Sequence, residues 1–533
     1  MMTPHMAEDI TVLKQYLAPH TNDRAPINKD YSHISNARGH PIVYLTVPRE
    51  RKGFNSAVVP GKVQREIVEQ ILSPFVEDVK SLFFEHLHPC FPVLDELTFQ
   101  EMWQKNKESI SSTLLCDIYA NALQFWSCSD KLRKYARPDV HFIWNQSVAA
   151  LQDDFMAPTI STIHSALLDL IGRPVIQVNG NIVNTGRIVT LAQSLGLHRN
   201  PCSWTITSYE KSVRIRLWWG VLIHDYWSSI SHGIPPMINP DYYDVPLPLP
   251  GHISDPTRAK SEASFIQLCK LSAILGKVLP SVYGLKPDFG ILSRSLRRID
   301  CELDDWVTEL PDYLQSRSFA IIASNGASNL WFCFLSVRML VCRLTYKITL
   351  KEPGSISVEA HQYRLANMRE ASYNLIDFIT SLTETHLREF WLPYTSYLLV
   401  AATTILLRCT IECGNIDTKK LCVLKLLDFS ARLRDADEKG WDLADFCLER
   451  CSEPIQKMAE ALKISRVSTQ GIATDPVATN IVTAHTGRSD QVETDGIEHG
   501  SGAIFDFELP LDSVDYPWET LWTTLEGPWS THI

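Results

Sequence analysis

Apolar residues recur at helical spacing through most of the chain, from about residue 61 to residue 462. Breaks rich in Pro, Gly and Asn separate the apolar segments. Within Gly186–Leu197, apolar residues at i, i+3, i+4 and i+7 predict a short amphipathic helix. Gly196 stands where a left-handed C-terminal cap is expected. The apolar residues of this helix are Ile188, Leu191, Ala192 and Leu195.

A second, longer helix is predicted between Thr207 and Gly233. Thr207 and Glu210 have the spacing of a capping box, and Gly233 with Pro235 ends the pattern. An apolar stripe runs along this helix at Val213, Leu217, Val221 and His224. Comparable patterns occupy residues 329–349, 360–382 and 421–434. Because alternating strands with hairpin turns are scarce, we predict an all-α fold with a multi-helix body.

The pattern divides the chain into four parts. Residues 1–60 are polar, rich in Asn and interrupted by Pro, which predicts a loosely ordered leader. Residues 61–462 form the helical body. Residues 463–501 are rich in Ser, Thr, Gly and Asp without large core side chains, which predicts a disordered linker. In residues 502–533 aromatic residues return among acids, which predicts an acidic C-terminal tail.

Negative charge is concentrated at the C-terminus. The formal net charge is −11, and residues 490–533 hold ten Asp or Glu and no Lys or Arg. Without that segment, residues 1–489 carry a net charge of about −1. A protein that binds nucleic acid by itself carries a basic surface. The short basic cluster at residues 49–52 is too small to form such a surface. The body alone is therefore not expected to hold DNA.

The cysteines indicate a reducing compartment. Thirteen Cys, an odd number, lie mostly inside apolar segments, and residues 1–25 show no secretory signal. No two of them are three residues apart, so the Cys-x-x-Cys element of thiolate zinc clusters is absent from the sequence. We therefore expect reduced thiols in a nuclear or cytosolic protein.

One apolar stretch is long enough to be tested as a membrane span. Phe390–Leu407 contains no charged residue over 18 positions. Pro393 and several hydroxyl groups interrupt it, and Arg388 and Arg408 flank it closely. These features favour a buried core helix, so no contact with a membrane is predicted.

Motif searches find no catalytic set, and we predict that the protein is not an enzyme. A Gly-rich phosphate loop, His-Glu-x-x-His and Gly-x-Ser-x-Gly are all absent. The acidic pairs at 153–154 and 304–305 lack the further acid of a magnesium motif and are interpreted as solvated helix ends. The run His86-x-His88-x-Cys90 offers possible metal ligands, but Pro89 and Pro92 favour a helix-end corner.

Two parts of the chain resemble the fungal-specific transcription factor domain, the middle homology region of zinc-cluster regulators. The first part is Phe83–Leu94. The second is a series of short motifs between residues 186 and 246, in the order that the family shows. Phe390–Cys409 also resembles a late helix of this domain. The family-motif residues are Phe84, Pro89, Phe91, Pro92, Gly186, Arg187, Leu195, Gly196, Leu197, His198, Arg199, Arg216, Leu217, Trp218, Trp219, Asp225, Gly233 and Pro235.

This resemblance implies a nuclear, pathway-specific regulator of RNA polymerase II promoters, in secondary metabolism or nutrient use. The family usually carries six Cys that hold two zinc ions and read DNA, whereas no Cys here precedes Cys90. No zinc or other cofactor is therefore assigned, and direct DNA binding is left open. The protein acts either through a DNA-bound partner, such as a homologous zinc-cluster protein, or with a cluster encoded by an upstream exon. The alternative is a helical ligand-binding or scaffold protein without a direct transcriptional role.

Within the family motifs, the polar residues are expected to be structural or signal-coupling rather than catalytic. This expectation covers Arg187, Arg216 and Asp225. A buried Asp225 must find a hydrogen-bond donor, and a nearby Arg is the obvious candidate. Trp218 and Trp219 are expected to anchor their helix, although paired Trp residues can also stack a base or a sugar.

The C-terminal tail has the pattern of an activation segment. Its acids keep aromatic and Leu side chains solvated, so that an amphipathic helix forms on a coactivator groove. A C-terminal helix that docks on the body is the alternative. The side chains predicted to contact a coactivator are Phe505, Phe507, Trp518, Leu521, Trp522 and Leu525.

Overall fold

The computed structural model describes residues 31–35, 42–45, 53, 59–172, 178–250, 256–286, 288–315, 325–351 and 357–464. These residues contain seventeen α-helices and one two-stranded antiparallel hairpin. The all-α prediction is therefore confirmed. The predicted activation segment lies outside the described residues, as does the predicted linker beyond residue 464.

The described body begins with a group of seven helices. They are α1 (Lys62–Leu72), α2 (Val76–Leu82), α3 (Glu96–Asn106), α4 (Ser112–Ala122), α5 (Val140–Asp154), α6 (Ile160–Ile171) and α7 (Val178–Ser194). A π-helical turn at Phe83–Leu87 follows α2 directly. Short 3-10 turns occupy Lys107–Ser109, Leu123–Cys128 and Leu132–Lys134.

Ten helices follow in the remaining described residues. They are α8 (Ser208–His232), α9 (Pro256–Tyr283), α10 (Phe289–Thr308), α11 (Asp312–Gln315), α12 (Ala327–Lys351), α13 (Val358–Ser381), α14 (Glu384–Leu387), α15 (Thr395–Glu412), α16 (Ile416–Glu438) and α17 (Asp445–Ala461). Two further 3-10 turns lie at Pro240–Tyr242 and Asp442–Ala444.

The hairpin lies in the part of the chain predicted as a leader. β1 (Tyr31–Ser35) pairs with β2 (Ile42–Leu45). Val43 is fully buried, and the Tyr44 hydroxyl donates a hydrogen bond to the Leu195 carbonyl at 2.7 Å. Strands of five and four residues carry too little alternation to be predicted from periodicity.

Two helices are the centres of packing in the first half of the body. Every residue of α4 is buried, because α1, α2, α5 and α6 all pack against it. In α8, every residue from Arg216 to Ser229 is buried between α6, α7, α9 and α15. The single apolar stripe predicted for α8 is therefore too narrow, since a helix covered on all sides needs no polar face.

The second half packs around α12 and α15. α12 contacts α9, α10, α13 and α15, while α15 contacts α13, α16 and α17. Three described helices, at Ala259–Tyr283, Ala327–Leu350 and Thr395–Glu412, are long and apolar enough to cross a membrane by length and composition. Most residues of each apolar window are buried inside the protein. The stretch predicted as one core helix divides at residue 394, because Phe390–Tyr394 precedes the start of α15.

Candidate functional site

The first family motif, Phe83–Leu94, forms a tight corner after α2. One π-helical turn is followed by a sharp bend through Pro89 and Pro92, both of which are buried. The Phe84 ring packs against Phe99 of α3, with 4.9 Å between ring centroids. This corner therefore fixes the direction in which the chain leaves α2.

Phe91 is the point at which this corner meets the rest of the body. Its ring centroid lies 5.5 Å from that of His224 on α8, 5.4 Å from Phe265 on α9 and 6.2 Å from Phe390. Asn325 reinforces the last contact. Its Nδ2 donates to a backbone carbonyl of the corner at 2.6 Å, and its Oδ1 accepts from the Phe390 N–H at 2.9 Å.

The His-x-His-x-Cys run lies at the helix-end corner that the sequence predicts. His88 is buried, and its Nε2 lies 3.1 Å from the Leu94 carbonyl oxygen. The His86 ring stacks on Phe125 with 5.1 Å between centroids, while Cys90 Sγ donates to the His86 carbonyl at 3.6 Å. The described residues contain no group of three His, Cys, Asp or Glu side chains arranged to hold a metal ion.

The motif Leu195–Arg199 ends α7. Gly196 has a φ of +69°, and the Leu197 N–H donates to the Ala192 carbonyl at 2.9 Å, which closes the last turn. The predicted left-handed cap at Gly196 is confirmed. The predicted start of the helix is wrong, because α7 begins at Val178 rather than at Gly186.

Asp244 fastens this loop to the segment that follows α8. Its carboxylate accepts from the Asn200 N–H at 2.6 Å and pairs with the Arg199 guanidinium at 3.3 Å. The Asp244 N–H donates in turn to the His198 carbonyl at 3.2 Å. Burial lowers the pKa of the His198 imidazole to about 4, so that the ring is neutral at physiological pH.

Trp218 and Trp219 of α8 fill the space between these segments. The fully buried Trp218 ring lies between His198, at 6.1 Å, and Tyr243, at 5.4 Å. Trp219 is also buried, and its Nε1 donates to the Pro246 carbonyl at 2.7 Å. A stacking surface for a base or a sugar needs exposed rings, so these two side chains serve packing instead.

Asp225 holds the turn that follows α8. Its buried carboxylate accepts from the Met237 N–H at 3.1 Å and from the Ile238 N–H at 2.8 Å. The predicted arginine partner is therefore wrong, since backbone groups supply the donors. Burial raises the pKa of the Asp225 carboxyl to about 6, and the two backbone N–H groups act in the opposite direction.

Two glycines shape the same turn. Gly233 ends α8 with a φ of +76°, as the sequence predicts, and Pro235 follows it. Gly186 on α7 makes room for the Met237 side chain, because a Cβ there would lie 2.9 Å from Met237 Cε. The turn and α7 can therefore approach each other closely.

Arg187 and Arg216 both interact with groups other than Asp225. Arg187 stacks on the Phe155 ring, with 3.5 Å from its guanidinium carbon to the ring centroid. Arg216 is buried in α8, where burial lowers the pKa of its guanidinium while Glu262 and Asp95 act in the opposite direction. The arginines are therefore separate packing features rather than partners of the acid.

A buried polar contact joins the motif region to the second half of the body. His224 Nδ1 lies 2.8 Å from the Tyr394 hydroxyl, and both side chains are buried. Burial lowers the pKa of His224 to about 3, so its imidazole is neutral. The contact joins residues 170 positions apart, and no local pattern in the sequence indicates it.

The family motifs thus converge on α8. They contribute buried rings, helix caps and hydrogen bonds to backbone groups, which is the chemistry of a packed scaffold. Residues 81–308 match the family model described as the fungal specific transcription factor domain. The chain carries a fungal specific transcription factor domain. The listed family-motif residues all lie within residues 81–308. Phe390–Cys409, which was compared with a late helix of the domain, lies beyond this range, as do α11 to α17.

The domain has relatives among named fungal regulators. An uncharacterized transcriptional regulatory protein of Schizosaccharomyces pombe is 23% identical over 475 residues, which cover 86% of this chain and 69% of the relative. The transcriptional activator protein DAL81 of Saccharomyces cerevisiae is 25% identical, over 61% of this chain and 38% of its own length. The acetamidase regulatory protein of Aspergillus fumigatus is 24% identical, over 46% and 32%.

The chain therefore spans about two thirds of the first of these relatives and about a third of the other two. No solved structure matches the chain.

Sequence reasoning missed several side chains that complete the domain's packing. Tyr44 of the hairpin and Tyr243 beside Trp218 were not singled out, although Tyr243 directly precedes the Asp244 motif. Met237 supplies a backbone donor, which residue type does not reveal.

Proposed function

We infer that this chain is a fungal regulator of transcription that acts in the nucleus. The observation that carries the inference is the fungal specific transcription factor domain, whose motif residues form one packed unit around α8. The names of the relatives point the same way, since they are a transcriptional regulatory protein, a transcriptional activator and an acetamidase regulatory protein. Control of one pathway, in nutrient use or secondary metabolism, is the finer proposal.

We propose that the protein reaches promoters through a DNA-bound partner, such as a homologous zinc-cluster protein. Residues 1–489 carry a net charge of about −1, which gives little attraction to DNA phosphates. A partner that supplies the DNA contacts accounts for this near-neutral charge.

Residues 502–533 are proposed as the activation segment that recruits a coactivator. The ten acids of residues 490–533 surround the apolar side chains and no Lys or Arg neutralises them. An amphipathic helix with Trp518, Leu521, Trp522 and Leu525 on one face would lay that face into a hydrophobic groove of a coactivator.

Chromatin immunoprecipitation of the tagged native protein tests the function as a regulator. The matched comparisons are an untagged strain and the transcripts of a deletion strain. We expect discrete promoter peaks near genes whose transcripts change on deletion. Absence of occupancy, together with unchanged transcripts, would refute the regulator and favour the scaffold alternative.

A second arm separates direct from partner-mediated DNA binding. The purified chain is mixed with a bound promoter fragment in a mobility-shift assay, alone and with extract from the deletion strain. We expect a specific shift only with extract. A specific shift by the chain alone would contradict the need for a partner.

A reporter fusion tests the activation segment. Residues 502–533 are fused to an unrelated DNA-binding domain, and Trp518→Ala with Trp522→Ala is compared with Thr523→Ala and Thr524→Ala as a matched control. We expect a reporter signal that the Trp variant loses and the Thr variant keeps. An inert wild-type fusion would exclude activation by this segment.

A further inference from the structure

A cavity of about 110 Å³ opens between α10, α12 and α13. It lies apart from the family motifs, and α12 and α13 lie beyond the matched domain. The apolar floor consists of the buried side chains Leu296 and Val341. The other lining residues are Arg297, Asp300, Cys342, Thr345, Arg364 and Asn367. The volume exceeds what one water needs and admits a molecule of several heavy atoms.

The polar groups of the lining favour an anion. Two arginines, Arg297 of α10 and Arg364 of α13, line this small space. Arg364 donates to the Thr349 hydroxyl at 2.7 Å, a neutral partner. Arg297 has no ion pair with any residue of the described part of the chain. Two cations beside one cavity leave a positive potential that a bound anion would neutralise.

The one carboxylate of the lining is ion-paired from outside the cavity. Asp300 accepts from Arg338 Nη1 at 2.8 Å, and the same guanidinium also binds Asp304. Asp300 is therefore part of an ion-paired network on the α10–α12 interface. One guanidinium shared by two carboxylates leaves one excess negative charge in that network. Because Arg297 and Arg364 add two positive charges, one net positive charge remains beside the cavity for a ligand.

The geometry also favours a planar anion with an apolar part. Arg364 and Asn367 are three residues apart on α13, so they project from one face of that helix. A guanidinium fork matches the two oxygens of a carboxylate, and the Asn amide adds a further donor. The Leu296 and Val341 floor would cover a short carbon chain.

We propose that this cavity binds a small organic acid, with its carboxylate held by Arg297 and Arg364 and its carbon chain on Leu296 and Val341. Such a ligand would join three helices of the body at one point. Because binding is measured on the purified chain, the proposal does not depend on the role in transcription.

Isothermal titration calorimetry of the purified chain with butyrate tests the proposal. Inorganic phosphate and butyramide are the comparison probes, since phosphate lacks a carbon chain and butyramide lacks charge. We expect saturable butyrate binding, weakened at least tenfold by Arg297→Gln or by Arg364→Gln. Arg298→Gln is the matched control, because Arg298 is exposed, as Arg297 is, but does not line the cavity.

A steric variant checks the location without changing charge. Val341→Phe directs a larger side chain at the floor and should also weaken butyrate binding, while circular dichroism verifies the helical fold. Absence of butyrate binding would overturn the proposal. So would equal binding of butyramide, tighter binding of phosphate, or butyrate affinity unchanged in both arginine variants.

Discussion

Replacing Asp225 with Asn should change the pH dependence of stability in a defined direction. Burial raises the pKa of the Asp225 carboxyl to about 6, against an ordinary value of 3.8. The folded protein therefore holds a proton on this group between about pH 4 and pH 6, where the unfolded chain has lost it. The free energy of unfolding consequently falls as the pH rises through that window. A shift of about two pKa units corresponds to about 3 kcal/mol.

The assay is urea denaturation of the full chain at several pH values between 4 and 7.5. Asp225→Asn removes the titration, so the free energy of unfolding of the wild type minus that of the variant should decrease by about 3 kcal/mol across this range. Asp241→Asn is the matched control, since Asp241 is an exposed acid of the same loop. A difference that stays constant with pH would refute the raised pKa, and an increasing difference would indicate a lowered one.

The hydrogen bonds themselves are tested by Asp225→Ala. This substitution leaves the Met237 and Ile238 N–H groups without their acceptor, at a cost of about 1 to 3 kcal/mol for each buried donor. Hydrogen exchange of a peptide covering residues 234–240 should accelerate about tenfold to a hundredfold. Unchanged exchange there would show that the carboxylate does not hold this turn.

Three further substitutions probe close contacts, each read as a change in the urea midpoint. Gly276→Ala places a Cβ 2.5 Å from the Tyr226 ring and should lower the free energy of unfolding by about 1 to 3 kcal/mol. Gly414→Ala is the control and should leave the free energy of unfolding nearly unchanged, because a Cβ there meets no atom within 4 Å. Tyr44→Phe should cost about 1 kcal/mol and speed proteolysis of the hairpin, since its hydroxyl holds the α7 loop. Trp219→Phe should lower the free energy of unfolding by about 1 to 3 kcal/mol, because a buried hydrogen bond and side-chain volume are lost. An unchanged midpoint would show that the hydrogen bond from the Trp219 indole N–H to the Pro246 carbonyl does not stabilise the fold.

Local signals in the sequence predicted the helices well, because caps and periodicity are local. Gly196 and Gly233 both adopt the left-handed conformation, and Thr207 caps α8 through a bond from the Glu210 N–H at 3.1 Å. The Glu210 carboxylate does not complete the capping box and instead pairs with Arg214 at 3.0 Å. A local motif therefore predicts where a helix begins, but it does not predict which group the Glu210 carboxylate binds.

The sequence did not indicate which residues would contact each other in the folded protein. The donors to Asp225 are backbone groups of a loop, and backbone groups are the same in every residue type except Pro. The cavity is lined by helices whose residues are separated by up to about seventy positions, so no motif spacing could bring Arg297 and Arg364 together. Helical periodicity placed Trp218 and Trp219 on one helix. It did not indicate that Tyr243 would pack against Trp218, because Tyr243 lies outside that helix.

The position of Phe91 constrains how the protein can be synthesised and divided. Phe390, which stacks on it, is translated about 300 residues later, or roughly 15 to 60 s at ordinary elongation rates. In that interval the nascent chain exposes an aromatic face that chaperones would have to shield. A fragment limited to the matched residues 81–308 would expose the same face permanently, so expression should extend at least over residues 59–464.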